Sequence, residues 1–306
     1  QEDVIAAGLP YGPVEGVILI AASAQALETA GGSPVPMAIV LPTCDGDVIS
    51  QDGQHFFEAA RLTPQQTNWI ISVWLERGNH NFFNLLLPED PFRSADRPEC
   101  VQVLEPEVQS AFLVDLTADF LTTIWNQDPG LVSEAAKRMD LDVSLPVLNE
   151  FYGLPGRAAF MAPADDRLSL LLPAKEDHLV TNLAGGTITE DGVTTNFCPE
   201  GFYTPEMLPG SEPCRRVTVT IPGQPALVVV TWPELGGEWK FALPAGEGDL
   251  SGYTTFTLRA AVDPLSSLNP EGIPQSFSLR LTDRAGNTAT VPTRIDELAL
   301  VFPAGV

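Results

Sequence analysis

The chain has 306 residues, 44% of them apolar, with a mean hydropathy of +0.08, which is enough for two domains with cores and excludes a disordered or fibrous class. Its 40 acidic residues outnumber 16 basic ones, giving a formal charge of −24 that disfavours nucleic acid and anionic lipid as partners. No apolar run approaches the roughly 18 residues that a membrane-spanning helix needs, so no membrane span and a soluble product with a solvated acidic exterior are expected.

The chain opens at Gln1 with no charged, apolar leader before Glu2-Asp3-Val4, and passes from a helix end through the loop Gly8-Leu9-Pro10-Tyr11-Gly12-Pro13 into a strand at 16–22. It reads as the later part of a longer chain whose other sheet strands lie elsewhere. A second apolar run, 36–42, is bounded by prolines and breaks into the acidic turn Thr43-Cys44-Asp45-Gly46-Asp47-Val48. Residues 52–61 carry helical apolar spacing, and a third run, 69–75, ends in Arg77-Gly78-Asn79-His80. Strand, helix, strand implies a crossover on a parallel sheet, where ligands collect at the carboxyl ends of the strands. Asp47 and His80 both fall there. An acid after one strand and a histidine after the next look like the last two members of a Ser…Asp…His triad in α/β-hydrolase chain order, in which His80 would be the base.

Further on, Val108, Phe112, Leu116, Phe120 and Ile124 recur at a helical interval behind Pro106, and a short helix is expected at 132–139. After Pro163 short Val-, Thr- and Leu-rich runs replace the helical periods: 167–172, 216–221, 226–232, 254–262, 276–282 and 288–292. The expected fold is therefore α/β plus all-β, a partial parallel sheet with closing helices over 1–163 and an antiparallel β-sandwich over 164–306.

Four cysteines without a C-x-x-C spacing fit two disulfides and an oxidising, extracellular compartment; we pair Cys44 with Cys100, bracing the Asp47 turn, and Cys198 with Cys214. His55, beside Phe56 and Phe57, reads as a packing residue, and His178 in Lys175-Glu176-Asp177-His178 as a solvated one. No metal motif is present and no cofactor is expected, although oxygen-rich loops leave room for structural calcium; Asp283-Arg284-Ala285-Gly286-Asn287 reads as a hairpin turn. Tyr203, Trp232, Trp239, Tyr253 and Phe256 are candidates for a sugar-stacking face, with about half of them expected in the core by strand alternation.

The segments Gly8 to Gly16, Leu41 to Val48 with Gly53-Gln54-His55, and Gly78 to Asn84 resemble the later half of a secreted bacterial α/β-hydrolase family distantly similar to cutinases and dienelactone hydrolases. The resemblance covers about residues 1–150 and implies that Asp47, at the last position of the Cys-x-x-Asp turn, is the triad acid in preference to Asp45, with His80 the base. Segments 249–261 and 277–287 more loosely resemble carbohydrate-binding-like sandwich modules. The family carries a Gly-x-Ser-x-Gly elbow, and no serine of this chain has glycine two residues before and after it. Two expectations follow. The first is the carboxyl-terminal portion of an extracellular ester hydrolase whose serine lies on an amino-terminal segment; the second is a non-catalytic surface, self-associating or glycan-binding protein on the same scaffold.

Overall fold

The computed structural model describes residues 13–23, 33–49, 51–63, 66–90, 98–173, 175–198, 226–263, 266–293 and 300–301. Among the described residues up to 163, a mixed sheet is built from three parallel strands, β1 (Val17–Ile20), β2 (Met37–Pro42) and β3 (Ile70–Leu75), extended by an antiparallel hairpin, β4 (Glu150–Phe151) and β5 (Leu154–Met161). The order is β1-β2-β3-β5-β4, and β2 pairs with β3 from Met37↔Ile70 to Pro42↔Leu75, so their carboxyl ends lie side by side.

Side-chain alternation explains why β2 is buried along its whole length. Ala38 and Val40 point with Ile71 and Val73 into a cluster closed by Phe112, Leu116 and Phe120 of helix α2 (Pro106–Trp125). Met37, Ile39 and Leu41 point the other way, with Ile70, onto Phe57 and Ala60 of helix α1 (Gln54–Arg61). Helices therefore cover both faces of the parallel strands, the arrangement that unbroken apolar runs require. At Gly16 the approach of α2 is so close that a Cβ would lie 2.5 Å from Ile124 Cδ1.

Helix α3 (Pro129–Arg138) begins on Asp128, whose carboxylate accepts the Gly130 and Leu131 N–H groups, and ends in a Schellman pair, Leu141 N to Ala136 O and Asp140 N to Lys137 O. Asp140 sits there at φ 58°, half-buried, and burial raises its carboxyl from 3.8 to about 6. A folded-state value above the unfolded one means that its stabilising contribution is complete below about pH 3.8 and is lost as the pH rises through about 6. Asp140→Asn is therefore expected to raise the denaturant midpoint at pH 7 and to flatten its decline between pH 4 and 6, measured by urea unfolding across that range.

The β4–β5 hairpin was not expected from the sequence, because Pro155, Gly156 and two alanines give its second strand little β propensity. Its two-residue turn is legible in retrospect: Tyr152 and Gly153 both take positive φ, 54° and 78°, as a type I′ turn demands.

Among the described residues from 164 to 255 the strands pair as two small antiparallel sheets, β6 (Ile188–Asp191) with β9 (Glu238–Phe241) and β7 (Thr194–Cys198) with β8 (Leu227–Thr231). The contacts divide the chain into Gln1–Thr255 and Phe256–Val306, whereas the sequence suggested a boundary after residue 163. Within the second unit, β10 (Ser278–Thr282) pairs with β11 (Thr288–Pro292). The chain thus combines a mixed α/β sheet with small antiparallel sheets. Segments 167–172 and 254–262 are not strands: among the described residues neither pairs in a β-ladder, although Leu170 O accepts the Leu183 N–H at 3.0 Å, and most of 254–262 is exposed. Segment 216–221 lies outside the described residues. No helix among them is long and apolar enough to cross a membrane.

Candidate functional site

The turns after β2 and β3 hold one another. Thr43 N–H donates to Leu75 O at 3.0 Å and Cys44 N–H to Gly78 O at 2.9 Å, prolonging the strand pairing, while Thr43 Oγ1 accepts the Arg77 N–H at 2.9 Å. Gly78 is needed for this approach, since a Cβ there would meet Pro42 at 3.0 Å. A Cys44–Cys100 disulfide ties the first turn to the segment leading into α2, as the sequence suggested. From α2 itself, Gln109 clamps the backbone of Asn79, beside His80, on both sides: its Oε1 accepts Asn79 N–H at 2.8 Å and its Nε2 donates to Asn79 O at 2.6 Å. Both side chains have 0% exposure, so this double bond is shielded from competition by water.

His80 is thereby aimed at Asp45. Its Nδ1 lies 3.0 and 2.9 Å from the two carboxylate oxygens, and Asp45 Oδ1 also accepts the N–H groups of Asp47, at 2.9 Å, and Val48, at 2.6 Å. A carboxylate only accepts, so Nδ1 carries the proton and the Nε2 lone pair points away from the acid. Asp45 is 1% exposed. Burial pushes its carboxyl up, against the opposing pull of the His80 bond and the two backbone N–H groups.

The carboxylate on Nδ1 is therefore Asp45, where the sequence pattern pointed to Asp47. Asp45 folds its side chain inward over its own turn to cap two backbone N–H groups, and this Asx-type turn sends Asp47 outward. The Asp47 side chain is 75% exposed and lies on the other side of the ring, with Oδ2 3.8 Å from Nε2. The signal that could have shown this is Asp45-Gly46-Asp47-Val48 itself, in which the first aspartate is the one placed to bond two and three residues ahead. Gln109 and Asn79 carried no such local signal.

His55 lies in α1 and is half-buried, and His178 Nδ1 is 2.5 Å from Leu172 O. Cys198 is disulfide-bonded; Cys214, the partner assigned to it from the sequence, lies outside the described residues, as does Tyr203. Trp239 packs edge-on against Phe241, while Tyr253 and Phe256 are exposed. Asp283 accepts N–H groups from Ala285 and Asn287 in the β10–β11 turn. Among the described residues no three His, Cys, Asp or Glu side chains are grouped to hold a metal ion.

A ring fixed by a buried carboxylate, with its second nitrogen turned outward, is an arrangement that can act as a general base toward a nucleophile. Among the described residues, no hydroxyl or thiol hydrogen-bonds Nε2; Ser72, on β3, donates to Gln54 Oε1, and Ser110 to Phe82 O. Comparison with protein-family models, with curated proteins and with solved structures gave no match for this chain.

Proposed function

We propose that Asp45 and His80 form the acid–base half of an extracellular serine ester hydrolase, completed by a nucleophile outside the described residues. His80 Nε2 takes the hydroxyl proton as the serine attacks the ester carbonyl, Asp45 stabilises the imidazolium, and the proton passes to the leaving alcohol; water then releases the acyl group by the reverse steps. The observation that carries this reading is the Asp45 carboxylate on Nδ1 at 2.9 and 3.0 Å, at the carboxyl ends of two adjacent parallel strands.

The test is fluorophosphonate labelling of the chain purified without denaturation, together with everything that accompanies it. A labelled serine in a Gly-x-Ser-x-Gly segment is expected, with labelling slowed at least about a hundredfold by His80→Gln. No label, or a label indifferent to His80→Gln, overturns the proposal.

One observation favours a second reading, in which the pair is a buried strut in a non-catalytic surface, self-associating or glycan-binding protein: the group facing Nε2 is the Asp47 carboxylate, not a hydroxyl. Titration with soluble glycans and sedimentation at several concentrations would support it by showing saturable binding or association that survives His80→Gln.

A further inference from the structure

We propose that Asp47 is a charge filter at the outer nitrogen of His80, so that this face admits uncharged or cationic compounds and turns away those bearing a carboxylate. The geometry is built rather than incidental. Asp45 Oδ1 accepts the Asp47 N–H at 2.9 Å while the same carboxylate holds His80 Nδ1, so one buried group sets both the ring and the peptide of the residue standing over it. The Asp47 carboxylate then lies 3.8 Å from Nε2, and among the described residues no lysine or arginine pairs with it. Any reagent approaching Nε2 passes a negative charge on a molecule that already carries −24.

The neighbouring surface has matching chemistry. Leu85, Leu86 and Leu87 are exposed, Leu86 by 91%. Their loop is folded back to the residues flanking His80, by Asn81 Nδ2 to Pro88 O at 3.0 Å and Asp90 N–H to Asn79 Oδ1 at 3.1 Å. An apolar loop tied to the residues flanking His80, together with the Asp47 carboxylate, suits a neutral, apolar acyl compound or a cationic one. As a statement about substrate, this rests on the ester hydrolase reading; as a statement about Nε2, it does not.

The experiment compares alkylation of His80 by iodoacetate, an anion, and by iodoacetamide, its neutral counterpart, with the modified histidine located by peptide mapping. Taking the ratio of the two rates cancels any change in the intrinsic reactivity of the ring. At low ionic strength Asp47→Asn is expected to raise the iodoacetate-to-iodoacetamide ratio about threefold to tenfold, the size of one charge a few ångströms away in a partly aqueous setting. Asp47→Glu should keep the wild-type ratio, and 1 M salt should erase the difference, because screening then acts over about 3 Å. An unchanged ratio in Asp47→Asn overturns the proposal. A parallel assay with a neutral ester and its hemisuccinate counterpart separates the two claims: a shifted alkylation ratio with no ester cleaved sinks the hydrolase reading and keeps the filter, and cleavage with an unmoved ratio does the reverse.

Discussion

Asp45→Asn is expected to lower ester turnover by about 10³- to 10⁴-fold at saturating substrate, the loss that follows when a triad acid can no longer fix its histidine. The change is nearly isosteric, so the chain keeps its shape while the chemistry of the contact inverts. An asparagine amide turned toward Nδ1 donates, which leaves the ring proton on Nε2 and removes the base. The effect can be read without a substrate: the hydrogen-bonded Nδ1 proton of His80 should be visible far downfield in the wild-type proton spectrum, vanish in Asp45→Asn and persist in Asp47→Asn. Loss of that resonance in Asp47→Asn but not in Asp45→Asn would return the acid's role to Asp47. Because burial raises the Asp45 carboxyl, its ionised form is held by the His80 ring and by the Asp47 and Val48 N–H groups, and acid should release all three contacts together.

The two aspartates show where the sequence speaks and where it stops. The apolar runs at 36–42 and 69–75, the helix at 52–61 and the Phe112, Leu116, Phe120 stripe are local periodic signals, and all of them correspond to β2, β3, α1 and α2. Placing an acid and a histidine at neighbouring strand ends needed only those elements and their order. Choosing between Asp45 and Asp47 needed the direction of two side chains in one tight turn, which depends on which carboxylate finds backbone N–H groups to accept. The Gln109 to Asn79 clamp is still less legible, since it joins residues 30 apart through a helix that must first be packed. The segment 254–262 shows the opposite failure, a strand-like alternation that finds no partner strand among the described residues.

Replacing Cys44 and Cys100 together by alanine is expected to cost about 4 kcal/mol of stability, the chain-entropy value for a loop of this length, and to lower the denaturant midpoint accordingly. The bridge closes a sequence separation of 56, which includes β3, His80 and the leucine loop. Most of the loss arises in the unfolded chain, which gains freedom that the bridge had removed. The consequence for the site is separable, because the Cys44 N–H to Gly78 O bond and the Gln109 clamp on Asn79 do not pass through sulfur. If the backbone bonds suffice to set the turn, the His80 Nδ1 resonance survives in the double variant at temperatures well below its lowered midpoint. If the resonance broadens or disappears while the chain is still folded, the disulfide is what holds Asp45 under the ring, and reducing conditions would switch off the pair before they unfold the protein.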